Sequence, residues 1–270
     1  MPHDDSEVSA AWLPEGFLQA NGKALEYACW GPAPADTPTL FLLHEGLGCI
    51  RLWRAFPAAL ASATGFGVVA YSRAGYGQSD PADMPRPLDY MTREAIDVLP
   101  LVLDALDIRQ AVTLGHSDGA TIAAIHAGTV DDDRIKGTVL MAPHFFTEPM
   151  GLTEIAAARD AFAKSPTLAE RMAKYHRDPE HTFRGWNDSW LHPQFTVSDA
   201  SESISGIRVP VLAIQGREDQ YGTLAQIDVL EKSARVPVQR LILDDCRHAP
   251  HLEQAQAVVA AIAGFCRTIP

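Results

Sequence analysis

The chain has 270 residues, of which 47% are hydrophobic and 21% charged, and its formal net charge is −12. The hydrophobic share is that of an ordinary globular protein, so it argues against an intrinsically disordered chain and against a coiled coil. The negative charge argues against nucleic acid or an anionic membrane as the main partner.

The cysteines indicate neither a metal site nor a disulfide framework, because no CxxC pair and no zinc-type cluster of Cys and His occurs among Cys29, Cys49, Cys246 and Cys266. The acidic N-terminus does not resemble a signal peptide, which would be basic and then apolar. The apolar run 257–265 is too short to span a bilayer. We therefore expect a cytoplasmic protein with free thiols and no membrane contact.

The first elements of the chain are a tail and a hairpin. Residues 1–14 are polar or limited by proline, and we expect them to form a flexible tail. Residues 16–31 predict two short strands around Asn21-Gly22, which is a strong signal for a two-residue hairpin turn. After a proline-rich link, short apolar runs alternate with helical stretches.

Most of the apolar runs lack polar alternation, which is typical of strands buried on both faces of a parallel sheet. These runs are 39–44, 67–71, 111–115, 137–142, 209–214 and 240–243. The predicted helices between them are 50–64, 92–106, 118–129, 224–234 and 252–266. This alternation predicts an α/β fold with an open, doubly wound, mostly parallel sheet.

One long connection interrupts this alternation of strands and helices, since about 65 residues without a convincing strand separate Pro143 from Val209. A structureless loop of that length is implausible. We expect a helical cap over 144–206, inserted into a core formed by 15–143 and 207–270. Trp186 and Trp190 in this cap are four residues apart and so share a helix face. The predicted pocket residues are Glu45, His144, Phe145, Trp186 and Trp190, with internal packing as the alternative for the aromatic ones.

The sequence Gly115-His116-Ser117-Asp118-Gly119 closes an apolar strand and opens a helix. A turn this tight holds the serine in a strained conformation and requires small residues two positions to either side. We therefore predict Ser117 as a nucleophile and the N–H of Asp118, at the helix start, as an oxyanion donor. The alternative is an ordinary turn in which Ser117 caps the helix.

A serine hydroxyl is a weak nucleophile, so it needs a base and an acid that orients the base. Asp219 follows the carboxyl end of the predicted strand 209–214, and Glu218 is the fallback acid. His248 lies in the loop after the last strand, and we prefer it as the base. His251 falls in the first turn of the next helix and is expected to pack against neighbouring residues or to cap that helix.

The strand 39–44 ends in the loop Glu45-Gly46-Leu47-Gly48. The backbone of this loop can turn behind the serine and donate an N–H to a tetrahedral intermediate. We expect His44 to brace the loop, since it has no neighbouring partners for a zinc site.

Four motifs, in order across residues 39–253, resemble those of the α/β-hydrolase superfamily with a helical cap. LLHEGLGCIRLW is similar to LLHGxxG…W, YSRAGYGQSD to DxRGxGxSD, GHSDGA to GxSxGG, and DDCRHAPHLE to DxGHxPHxE. The resemblance implies an α/β-hydrolase fold that works without a cofactor or metal. It places the catalytic triad at Ser117, Asp219 and His248, and the oxyanion donors at Gly46 and Asp118.

Three residues depart from the family pattern, because Glu45, Ala120 and Arg247 stand where it has glycine. The oxyanion loop and the histidine loop are therefore expected to differ in shape from those of the family, and Glu45 adds a charge. A serine nucleophile, rather than an aspartate, argues against haloalkane dehalogenase or epoxide hydrolase chemistry.

The elbow also resembles that of the biphenyl hydrolase-like serine hydrolases, where an acidic residue after the nucleophile favours α-amino acid esters. Asp118, together with Glu45, would then pair with a substrate ammonium. The alternative is that Asp118 only complements the positive end of its helix.

The leading hypothesis is a cofactor-free, carboxylesterase-like serine hydrolase that cleaves a small carboxylic ester through an acyl-enzyme. Its partner would be a small-molecule substrate, and its state a monomer or a homodimer. Hydrolysis of an amino acid ester, an amide, a lactone, a thioester or a carbon–carbon bond beside a ketone stays open, because the same triad serves each. A non-catalytic ligand-binding module of the same fold is the alternative from another class.

Overall fold

The strands form one mostly parallel sheet. The computed structural model describes residues 14–195 and 199–269. Within these residues eight strands pair in the order β1-β2-β4-β3-β5-β6-β7-β8. The pairs β1/β2 and β2/β4 are antiparallel and the others are parallel. The strands are β1 (Glu15–Ala20), β2 (Lys23–Trp30), β3 (Thr39–Leu43), β4 (Gly67–Tyr71), β5 (Ala111–His116), β6 (Ile135–Met141), β7 (Val211–Gly216) and β8 (Val238–Leu243).

Helices connect the strands. None of those in the described part of the chain is both long and apolar enough to cross a membrane. The α-helices are α1 (Phe56–Thr64), α2 (Tyr90–Arg93), α3 (Leu99–Ala105), α4 (Asp118–Thr129), α5 (Pro149–Lys164), α6 (Pro166–Met172), α7 (Pro179–Trp190), α8 (Asp199–Gly206), α9 (Ala225–Ser233), α10 (Pro250–Glu253) and α11 (Ala255–Cys266).

The strand predictions are confirmed. Asn21 and Gly22 join β1 to β2 with φ angles of 48° and 73°, the positive values that a two-residue hairpin turn of type I′ requires. The six apolar runs are β3 to β8, with their ends moved by at most two residues. The inner strands lack alternation because both faces are covered: Leu40 and Leu42 of β3 lie in one hydrophobic cluster, and Phe41 and Leu43 in another.

Three helix predictions are wrong at their starts. Ile50–Trp53 is a 3-10 turn, and α1 begins only at Phe56, where Pro57 fits the first helical turn. The second helix begins at Tyr90 and contains a π-helical turn over Glu94–Val98 before α3. The last helix begins at Pro250 and is broken at Gln254, whose backbone lies outside the helical region at φ −133° and ψ 50°.

The long connection between β6 and β7 contains α5, α6, α7 and α8, and no strand occurs in its described residues. Helices α5, α6 and α7 pack on one another, whereas α8 packs against α4 and α9. The division into tail, core and cap stays a prediction, and residues 1–13 of the expected tail lie outside the described residues.

The crossing of α4 and α8 gives a first prediction. A Cβ added to Gly128 of α4 would overlap the backbone carbonyl of Ser203 in α8. We expect Gly128→Ala to lower the free energy of unfolding by about 1–3 kcal/mol, because the two helices must separate. Urea denaturation measures this change.

The matched control is Gly264→Ala in α11, where the nearest atom to the added Cβ is 3.7 Å away. Alanine favours the helix there, so we expect no loss and a gain of up to about 1 kcal/mol. Equal effects of the two substitutions would contradict the close crossing.

Candidate active site

The predicted site residues lie in loops that follow the carboxyl ends of parallel strands. Glu45 and Gly46 follow β3, Ser117 follows β5, Asp219 follows β7 and His248 follows β8. In the sheet, β3 lies between β4 and β5, so the strands that follow it in the chain lie on its two sides. Such a switch in strand order opens a crevice at the carboxyl ends of the strands. Residues far apart in sequence therefore meet there.

The backbones of β5 and α4 almost touch at Ser117. A Cβ on Gly115 would overlap the carbonyl of Gly119, and a Cβ on Gly119 would overlap the carbonyl of Leu43. Ser117 takes φ 54° and ψ −118°, a conformation that costs a non-glycine residue about 1–3 kcal/mol. Its N–H donates to the carbonyl of Met141 at 2.9 Å, so the neighbouring strand holds the strained turn.

Asp219 accepts a hydrogen bond from His248. The Nδ1 of His248 lies 2.8 Å from Oδ2 and 2.9 Å from Oδ1 of Asp219, which is buried. Gln215 Nε2 and the Tyr221 N–H donate to the same carboxylate, each at 2.8 Å. Burial acts to raise the pKa of Asp219, but the hydrogen bond and charge of His248 outweigh it and lower that pKa. The anionic carboxylate thus fixes the proton on Nδ1 and leaves the lone pair on Nε2 of His248.

The loop that carries His248 is fixed on both sides. Glu253 accepts from the N–H groups of Arg247 at 2.8 Å and Ala249 at 3.0 Å. Glu218, the fallback acid of the sequence analysis, accepts from the N–H of Cys246 at 2.8 Å. These carboxylates bind backbone rather than the imidazole, and they hold the loop in which Arg247 replaces glycine.

His251 packs against aromatic rings, with its centroid 4.9 Å from Trp53 and 5.4 Å from Phe56. Burial lowers the pKa of His251 to about 3, so this imidazole is neutral.

Ser117 and His248 line one cavity of about 170 Å³. Four of the predicted pocket residues also line it: Glu45, His144, Trp186 and Trp190. The lining continues with the apolar or aromatic side chains of Leu47, Leu152, Ile155 and Tyr221.

Phe145 is a correction to the predicted pocket. It is not part of the lining, because its side chain is fully buried in the hydrophobic core. Its N–H donates to Gln226 Oε1 at 2.8 Å, which holds this part of the chain against α9. Only its neighbour His144 reaches the cavity.

Arg73 and His44 brace the oxyanion loop. The guanidinium of Arg73 donates to the backbone carbonyls of His44 and Glu45. His44 accepts the N–H of Arg73 on Nε2 at 3.1 Å, and its Nδ1 donates to the Glu45 carbonyl at 2.8 Å. Among the described residues no acceptor receives the N–H of Gly46. A Cβ on Gly46 would overlap the indole nitrogen of Trp186, so only glycine fits there.

The carboxylate of Asp118 is fully buried and both of its oxygens are engaged. The hydroxyl of Tyr90 donates to Oδ2 at 2.5 Å, and Trp190 Nε1 donates to Oδ1 at 3.3 Å. Burial raises the pKa of Asp118, although the charge of Arg73 and the two donors act against that change. The side chain therefore joins α4 to α2 and to α7.

Several residues that shape the site were not singled out from the sequence. Arg73 lies within the motif YSRAGYGQSD, so its position in that motif was a usable signal. Tyr90, Gln215 and the N–H of Tyr221 carry no sequence signal, because their partners are fixed only by the tertiary fold.

Comparison with known proteins agrees with this fold. The model of the Alpha/beta hydrolase family matches residues 40–261, and the chain belongs to that family. A non-heme chloroperoxidase of Streptomyces lividans is 29% identical over 204 residues, which are 64% of this chain and 70% of the relative. A bifunctional esterase/perhydrolase of Acinetobacter calcoaceticus is 24% identical over 232 residues, 74% of this chain and 80% of that protein.

A solved structure is also similar, that of 2-hydroxy-6-oxo-6-phenylhexa-2,4-dienoate hydrolase from Rhodococcus sp. strain RHA1. Its TM-score is 0.76 at 19% identity, with 94% of this chain and 98% of the other covered. At that identity the similarity establishes the fold alone.

The buried Asp118 gives a second prediction. Tyr90→Phe removes one donor from a buried carboxylate, so we expect it to lower the free energy of unfolding by about 1.5–3 kcal/mol at neutral pH. The loss should shrink as the pH falls and the carboxyl takes up a proton. Urea denaturation at a series of pH values measures both effects.

The control is the same substitution in an Asp118→Asn background, where no charge remains to be solvated. We expect the cost of Tyr90→Phe to be smaller there. An equal cost in both backgrounds would contradict a charge-assisted hydrogen bond.

Proposed function

We propose that the protein is a serine hydrolase that cleaves a small carboxylic ester through an acyl-enzyme. The observation that carries this proposal is that Ser117 and His248 line one cavity, with the carboxylate of Asp219 bonded to the far side of the imidazole. A nucleophile, a base and an orienting acid are the parts that such catalysis needs.

In the proposed reaction, Nε2 of His248 takes the proton of Ser117 Oγ as the oxygen attacks the ester carbonyl carbon. The tetrahedral intermediate collapses, the carbon–oxygen bond to the alcohol breaks, and His248 gives its proton to the departing alcohol. Water then attacks the acyl-serine with His248 again as base, which releases the acid and restores Ser117. Asp219 stabilises the imidazolium in both steps.

The oxyanion of each intermediate would be bound by the N–H groups of Gly46 and Asp118. The N–H of Asp118 is at the first position of α4, where backbone donors have no partner within the helix. Gly46 offers its N–H from the loop that Arg73 and His44 brace. Two fixed donors would stabilise negative charge as it develops.

The size of the cavity favours a short ester, since about 170 Å³ is small beside the several hundred Å³ of a typical ligand pocket. The contacts of the carboxylates in its lining favour no cationic ester, and Glu148 accepts from Thr223 and Gln226. Asp118 is bonded to Tyr90 and Trp190, and Glu45 lies 3.6 Å from Nδ1 of His116. Neither carboxylate is left unpaired for a substrate ammonium, so we expect matched neutral esters to react as well as amino acid esters.

Substitution in the triad gives the third prediction. With a 4-nitrophenyl acetate assay, Ser117→Ala should lower kcat by about 10⁶-fold. Asp219→Asn should lower kcat by about 10⁴-fold, because it fixes the wrong imidazole tautomer. Glu218→Gln is the matched control, since Glu218 binds backbone and not His248. We expect it to retain kcat within a few-fold of the unchanged protein.

Reaction with a fluorophosphonate probe separates an enzyme from a binding module. We expect covalent labelling of Ser117, and none in Ser117→Ala. An unlabelled protein that still binds small esters would contradict the hydrolase and favour a non-catalytic ligand-binding module of this fold.

The size of the cavity gives the fourth prediction. Acetyl and butyryl 4-nitrophenyl esters should exceed the octanoyl ester in kcat/KM by about tenfold, because the longer chain would have to displace lining side chains at a cost of about 1–3 kcal/mol. Leu152→Ala, which removes a lining side chain, should narrow that ratio. Leu101→Ala, at an exposed position of α3, is the control. A preference for octanoyl in the unchanged protein would contradict a small acyl pocket.

A further inference from the structure

His116, the residue before the proposed nucleophile, lies between two loops of the site. Its Nε2 donates to the backbone carbonyl of His248 at 2.7 Å. Its Nδ1 lies 3.6 Å from Oε2 of Glu45, which precedes the proposed oxyanion donor Gly46. The imidazole of His116 is 3% exposed. One buried side chain therefore contacts both the base loop and the oxyanion loop.

Glu45 places a negative charge where the proposed reaction least tolerates one. Its side chain lines the cavity and is 28% exposed. It bends back over the loop so closely that a Cβ on Gly48 would overlap its carboxylate. An uncompensated carboxylate beside Gly46 would oppose the charge that develops on the oxyanion. In the described part of the chain, His116 is the group that forms an ion pair with Glu45.

The surroundings of His116 favour its protonated form. Burial acts to lower the pKa of His116, but Glu45, the carbonyl of His248 and the charge of Asp219 outweigh it and raise that pKa. The ring of His251, 4.8 Å away, is neutral because burial lowers its pKa to about 3. The ring of His248 lies 5.1 Å away on the other side.

The groups around Glu45 act in the same direction. Burial acts to raise the pKa of Glu45, but His116 lowers it well below the usual range, with smaller contributions from His44 and His251. The geometry and the charges thus describe an imidazolium paired with a carboxylate.

We propose that Glu45 and His116 form a charge-compensated brace, in which His116 neutralises the carboxylate beside the oxyanion hole and holds the base loop through the carbonyl of His248. This inference rests on the proposed function. His116 acts through other groups, so it is a positioning residue rather than a catalytic one. The brace gives a reason for Glu45 at a position where the family pattern has glycine.

Rescue by a second substitution tests the brace. His116→Gln leaves the Glu45 carboxylate without its partner, so kcat for 4-nitrophenyl acetate should fall by about tenfold or more with little change in KM. Glu45→Gln removes the charge and is the reference for the double variant. The double variant Glu45→Gln/His116→Gln should recover most of the loss, to within a few-fold of Glu45→Gln.

The pH profile gives a second readout that a merely structural role would not move. The positive charge of His116 that neutralises Glu45 is present below the pKa of His116 and is lost as the pH rises through that pKa. The kcat of the unchanged protein should therefore fall on the alkaline side. Glu45→Gln should lack this fall, because no carboxylate remains to be neutralised. Glu180→Gln is the control, since Glu180 forms an exposed ion pair with Arg184 on α7, and it should keep the unchanged profile.

Two results would overturn the brace: a double variant no faster than His116→Gln, or an alkaline fall that persists in Glu45→Gln. The pH result can be obtained even if His116→Gln fails to fold, because it needs only the Glu45→Gln variant. Labelling by a fluorophosphonate distinguishes failure of the proposed function from failure of the brace alone. An unlabelled wild-type protein contradicts the proposed function, whereas a labelled protein without rescue contradicts only the brace.

Discussion

The near-contact between the backbones of β5 and α4 is the constraint on which the rest of the site depends. The carbonyl of Gly119 leaves no space for a side chain at Gly115, and the chain reverses through Ser117 at φ 54°. This single turn brings the serine to the cavity and sets the first N–H of α4 beside it. It also directs His116 toward Glu45 and the loop of His248.

Three carboxylates surround this turn, and each is held by a different partner. Asp219 is bonded to His248, Asp118 to Tyr90 and Trp190, and Glu45 is paired with His116. The acidic character of the chain as a whole therefore says little about its substrate. The carboxylates near the cavity are held by local partners, and the space that remains is small.

The sequence predicts much of the sheet and the elbow, because buried parallel strands and a tight strand-to-helix turn leave local patterns. Positions decided by tertiary contacts were not predictable in this way. Phe145 follows a strand end as His144 does, yet it packs into the core. The bond from Tyr90 to Asp118 joins segments 28 residues apart, and neither residue type indicates the other.

The central claim is that Ser117 carries an acyl group during turnover. The most direct test is to quench the reaction with 4-nitrophenyl butyrate in acid within the first turnovers. The mass of the intact protein and the masses of its peptides are then measured. We predict a burst of nitrophenolate equal to the enzyme concentration, and one butyryl group on the peptide that contains Ser117. Turnover with neither a burst nor a butyryl group on the peptide that contains Ser117 would contradict the claim.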